Sequence, residues 1–229
     1  MGSGITLAVG SFVAPLISFN ETTLTLIYRK QVQRDMNLES PDQPAWEKMC
    51  KMYWNWFYPI PRTAHPALDD TGKLASIGQN NPDLFFLTGP VDRKDNEQKL
   101  TIQARGKRIF MPILFCSFVD SELPKGSNLV EAANKDIDGT RFIKCDTSDS
   151  ITTHDVRRIR VPELFEVEVA DPPFFKEYNT TPGKQMASSD GYWLLTKPLD
   201  AGHHTISVNG GTKEDNEFYA GVTYHLEVT

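Results

Sequence analysis

Residues 188–212, SSDGYWLLTKPLDAGHHTISVNGGT, read almost wholly as structure. Apolar side chains run through Tyr192–Leu195, a Pro-Leu-Asp-Ala-Gly corner follows, and a second alternating run opens with the adjacent pair His203 and His204. A period of two gives a strand one buried and one wet face, so this stretch predicts two strands joined at a sharp corner.

The pattern extends outward from there. Glu166–Val169 and Tyr224–Val228 alternate strictly, and RIFMPILF at 108–115 is apolar enough for a strand buried on both faces. Further strands are expected at 22–28 (TTLTLIY), in LFFLTG at 84–89, in LTIQ at 100–103 and in GTRFIKC at 139–145. The charged connector PVDRKDNEQK fills 90–99. One segment changes period. Trp46, Met49, Cys50, Tyr53, Trp54 and Phe57 recur at steps of three and four, the mark of an amphipathic helix over 42–57. Ser40 or Asp42 caps it, Pro44 suits its first turn, and Pro59 and Pro61 stop it. A shorter helix is expected near 128–136, with Ser127 as cap and Gly139 beyond its end. The fold class that follows is mainly β: an antiparallel β-sandwich, jelly-roll-like or immunoglobulin-like, carrying one amphipathic helix and a second short one. One such domain spans 22–229, after an apolar N-terminal segment over 1–21 that reads as a tag or leader remnant.

The chain has 229 residues with 39% hydrophobic and 24% charged side chains, a globular composition that buries a core. Its net charge of -6 excludes a general affinity for nucleic acid, whose phosphates need a basic surface. The basic runs at 105–108 and 157–160 are flanked by Asp95, Glu97, Asp155 and Glu163 and read as solvated strand edges. The first 19 residues are interrupted by Gly, Ser and Pro and read as neither a signal peptide nor a transmembrane segment. Cys50, Cys116 and Cys145 lack metal-ligand spacing and allow one disulfide at most.

Several motifs in this order resemble a family of mostly secreted bacterial and archaeal proteins without an established activity. They are WNWFYPIP at 54–61, DDTG at 69–72, GQNNPDLFFLTG at 78–89, GKRIFMPILF at 106–115 and the closing GYWLLTKPLDAGHHTI at 191–206. The resemblance implies an extracellular or envelope location. Many members of that family carry cysteines near the positions held here by Ala75 and Thr101, so this chain departs from the disulfide they imply.

Two groups are candidate sites. Trp56 and Tyr58 fall off the helical stripe and, with Gln79 and Asn80, could form a platform on which a sugar stacks or a protein ligand rests. His65, Asp69 and Asp70, joined by His204, combine imidazole and carboxylate as a divalent metal requires. Each also has a plainer reading. Asp69-Asp70-Thr-Gly makes a turn in which Gly72 takes positive φ, and His204 pins the corner before it. Standard nucleophile, phosphate-loop and zinc-helix signatures are absent from the sequence. The sequence therefore supports a non-catalytic binding protein for a carbohydrate or protein ligand. The alternatives are a metal-dependent hydrolase or cupin-like oxygenase built on the His/Asp set, and a structural subunit that pairs with copies of itself.

Overall fold

The structure, a computed structural model, describes residues 41–69, 71–90, 96–148, 151, 154–211 and 219–229. The expected strand at 22–28, the N-terminal segment and Asp70 lie outside the described residues.

Helix α1, Gln43–Phe57, forms where the apolar period demanded it. The Asp42 carboxylate accepts the Ala45 amide at 3.0 Å and Pro44 opens the first turn. Two short 3₁₀ turns follow, Arg62–Ala64 and Pro66–Leu68, and then a loop that leads to the first strand. Among the described residues eight strands follow: β1 Leu84–Phe86, β2 Asn96–Ile102, β3 Arg108–Cys116, β4 Phe142–Thr147, β5 His154–Val169, β6 Gly183–Pro198, β7 Gly202–Gly211 and β8 Tyr219–Val228. Helix α2, Leu129–Asp138, lies between β3 and β4. Its cap is Asn128, whose side chain accepts the Glu131 amide at 3.2 Å, one residue later than the Ser127 expected.

The strands make two four-stranded sheets, β1-β3-β6-β5 (sheet A) and β2-β8-β7-β4 (sheet B). The β-sandwich expected from the sequence is thus present, and its sheets are mixed. Four pairings are antiparallel, while β1 with β3 and β2 with β8 run parallel at the margins. Residues 188–211 of the quoted stretch are the corner where the chain leaves sheet A as β6 and enters sheet B as β7. The β2–β3 turn closes on that corner, with Leu199 and Lys107 bonded through their backbones and Gly106 donating to Leu199 at 2.7 Å.

Sheet A has a core on each face. Trp46, Tyr53, Trp54 and Phe57 of α1 meet Phe110, Ile159, Val161, Trp193 and Leu195 on one side. Ile109, Met111, Ile113 and Leu194 meet Ile206, Val208, Val222, Tyr224 and Leu226 of sheet B on the other. β3 and β6, in the middle, are therefore buried on both faces, which is why they carry near-continuous apolar runs. Two boundaries differ from expectation. β2 takes in residues read as a connector, because its inward Gln98, 5% exposed, is polar and hides the alternation. β6 begins at Gly183, well before Tyr192, because Ser188, Ser189 and Asp190 are buried polar side chains with partners supplied from elsewhere in the fold.

Candidate functional site

The last turn of α1 points its rings inward. Trp56 is 7% exposed, its indole N–H donates to the Ile77 carbonyl at 2.9 Å, and its ring lies on Phe86. Tyr58 is 1% exposed and its hydroxyl shares a hydrogen bond with Ser117 at 2.9 Å. Both belong to the aromatic core and neither presents a face on which a sugar could stack. Gln79 has a different task. Its side-chain N–H donates to the Phe86 carbonyl at 2.7 Å while its carbonyl oxygen accepts the Phe86 amide at 3.0 Å. The side-chain amide thus stands in for a neighbouring strand and closes the outer edge of β1. Asn80 is exposed, and its backbone amide turns onto Gly78 at 2.8 Å. Gly78 sits at φ +68 with a would-be Cβ 3.0 Å from the Trp56 ring, so the loop follows Trp56 closely only as glycine.

His65 lies 1% exposed between Phe57 and Phe174, with ring centroids 4.2 and 4.3 Å away. Its Nδ1 accepts the Ala67 amide at 3.2 Å, so Nε2 carries the proton and donates to the Phe57 carbonyl at 3.3 Å. Burial holds its pKa down to about 3, against the partial support of the Phe57 carbonyl. Asp69 folds its carboxylate back onto its own turn, accepting from the Thr71 amide and hydroxyl and from the Leu74 amide at 2.6–2.8 Å. Burial pushes this carboxyl up, but those donors, together with Lys73, outweigh it and hold the group below the usual carboxylate range. Gly72 closes the turn at φ +74, where a Cβ would stand 2.5 Å from the Leu100 side chain. His204, 5% exposed, donates from Nε2 to the Asp200 carbonyl at 2.9 Å and so fastens the corner between β6 and β7.

A divalent ion held by His65 and Asp69 would have to displace those bonds, and the residues do not fit one as they stand. Among the described residues no three His, Cys, Asp or Glu side chains group as metal ligands. The thiols are equally quiet: burial raises the pKa of Cys50, Cys116 and Cys145. A small cleft between Pro66, Asp69, Gly72, Thr88, Gln98 and Tyr224 holds about 10 Å³, room for one water.

Two arrangements were not foreseen. Asp190 is fully buried on β6 and receives the Arg158 guanidinium through Nε at 3.1 Å and Nη2 at 2.7 Å, with Arg160 Nε at 3.3 Å. Asp138 of α2 pairs with both arginines, so the ion network ties the end of that helix to sheet A. The second is the outer face of sheet B. Strand pairing sets His203 opposite Glu227, Thr205 opposite His225, Ser207 opposite Thr223 and Lys99 opposite His225. These side chains are exposed or half-buried. His203 Nδ1 meets Glu227 at 2.5 Å and the Ser207 and Thr223 hydroxyls meet at 2.9 Å. The face is a field of hydroxyl, imidazole, carboxylate and ammonium groups. The alternation of β7 and β8 announced their two rows, and that of β2 was hidden by the inward Gln98. What was missing was the order β2-β8-β7, which sets the three polar rows side by side.

No protein-family profile matches the chain. No curated protein matches it either. Among solved structures it is similar to a cysteine protease inhibitor of Entamoeba histolytica, at 13% identity and TM-score 0.25 over 64% of this chain and 96% of that one. It is also similar to amebosin, at 12% identity and TM-score 0.25 over 64% of this chain and 100% of that one. Likeness at that level carries no weight for function.

Proposed function

We propose that the protein is a non-catalytic binding protein of the extracellular space or cell envelope, and that it meets its ligand through the outer face of sheet B. The observation that carries this reading is the polar field on β2, β8 and β7, where Lys99, His203, Thr205, Ser207, Thr223, His225 and Glu227 offer donors and acceptors on one rigid surface. Side chains held on paired strands keep their spacing, so a ligand with repeated hydroxyl or amide groups would find its partners already placed. The extracellular setting rests on the resemblance carried by the GYWLLTKPLDAGHHTI module.

A polysaccharide is the ligand class that this chemistry suits first. Isothermal titration with a panel of neutral and acidic oligosaccharides tests it. Binding that falls at least tenfold in Ser207→Arg or Thr223→Arg, but is unchanged in Asn80→Ala, is the expected result. Oligosaccharide binding indifferent to both arginine variants would remove the assignment to this face. Heat from none of the panel would turn the search to protein ligands.

A further inference from the structure

We propose that β5 joins two copies of the chain edge to edge, antiparallel, about a twofold axis at Glu163. β5 runs for 16 residues and is the outermost strand of sheet A among the described residues, paired along one side only, with β6. The opposite margin of that sheet, β1, is short and closed by Gln79.

The order of charges on β5 suits a second copy. Ile159, Val161, Phe165, Val167 and Val169 point into the core beneath α1. The charged even-numbered side chains on the other face are Arg158 and Arg160 in the first half, after His154 and Val156, then Glu166 and Glu168 in the second. The irregularity between Val161 and Phe165 preserves these faces, since four steps along β5 pass two along β6. Laid antiparallel on itself about Glu163, the strand sets Arg160 opposite Glu166 and Arg158 opposite Glu168, each pair occurring twice by symmetry. A parallel arrangement in register sets arginine on arginine and glutamate on glutamate. Opposite charges across strands attract and like charges repel, so the sequence selects the antiparallel register.

The middle of the strand agrees. Leu164, 40% exposed, lies one residue from the axis and would pack against Pro162 of the second copy. Proline and charge on an edge deter strands of unrelated sequence. Pro162 also lacks an amide hydrogen, so pairing would proceed as two arms on either side of the irregularity. Existing partners leave room for exchange at the inner pair: Glu166 holds Lys184 at 2.9 Å in a solvated pair, and Arg160 is half exposed, whereas Arg158 stays on Asp190 and Asp138 and adds only its long-range charge.

Sedimentation velocity on the full chain tests this, from about 1 to 200 µM at low salt and again at about 0.5 M salt. The expected result is a dimer weakened by salt. Glu166→Arg and Arg160→Glu, each introducing two like-charge contacts, should raise its dissociation constant about tenfold, and the two changes together should restore it. Glu163→Cys should cross-link the dimer under mild oxidation, and Glu168→Cys, far from the axis, should not. Circular dichroism confirms that each variant is folded, and Glu166→Arg, fully on the surface, reads independently of Arg160. A monomer at every concentration, a dimer that Glu166→Arg leaves unchanged, or cross-linking through Glu168→Cys in place of Glu163→Cys would overturn the proposal.

Discussion

The two faces of sheet A are packed by different means. Against α1 the layer is aromatic: Phe110 stacks on Trp193 with centroids 5.0 Å apart, and Tyr53 meets Trp193 edge-on at the same distance. Against sheet B the layer is aliphatic, built from Ile109, Met111, Ile113, Leu194, Val208 and Leu226 around Tyr224. A round helix touches a twisted sheet along a line and leaves wedges on either side that large rings fill. Two pleated sheets interdigitate along their whole width, which suits branched side chains. The lesson is that one rigid sheet tolerates both solutions only because its two central strands are apolar on both faces.

The sharpest way to break the contrast is on the helix side. Trp193→Ala removes a ring shared by Tyr53, Trp54 and Phe110 and should cost about 4 kcal/mol in chemical denaturation. A loss below about 1 kcal/mol would mean that the aromatic layer is loosely packed.

His65 gives the same layer a pH dependence. Its pKa in the fold, about 3, lies below the ordinary 6.5 it regains on unfolding, so its contribution is complete above pH 6.5 and lost as pH falls toward 3. By pH 4 the loss should reach about 3 kcal/mol, and His65→Leu should flatten that part of the stability curve. An unchanged slope in the variant would assign the acid sensitivity to other groups.

Beneath α2 the sheet is held by charge. Asp190→Ala leaves Arg158 and Arg160 facing a buried gap, and the partial exposure of Arg158 limits the expected cost to about 2 kcal/mol. Hydrogen exchange should localise that loss to 129–138; uniform loosening would separate the ion network from the helix. On the sheet B side Ile113→Val should cost about 1 kcal/mol. Gln79→Ala, which reopens the edge of β1, should cost about the same and promote aggregation on heating.

Much of the frame was legible. Period, proline and capping chemistry placed α1 to within a residue, and alternation placed β5, β7 and β8. The candidate sites were less so. Trp56 and Tyr58 lie off the ideal helical stripe, and they are buried because the loop after α1 folds over Trp56 and Ser117, just beyond the end of β3, reaches Tyr58. His65 and His204 are adjacent to turns in the sequence and bond to those turns in the fold, each through backbone groups within eight residues.

By itself the sequence determined where backbone conformation changes, because helix period, strand alternation and turn chemistry act over a few residues. Only the tertiary structure decided what each polar side chain does. Asp190 is a surface acid until Arg158 crosses from the neighbouring strand, and Gln79 is a loop residue until Phe86 lies beside it. The polar rows of sheet B become one surface only when β2, β8 and β7 are ordered side by side. Such partnerships join residues far apart along the chain, and the free energy of burying a polar group depends on the partner that arrives.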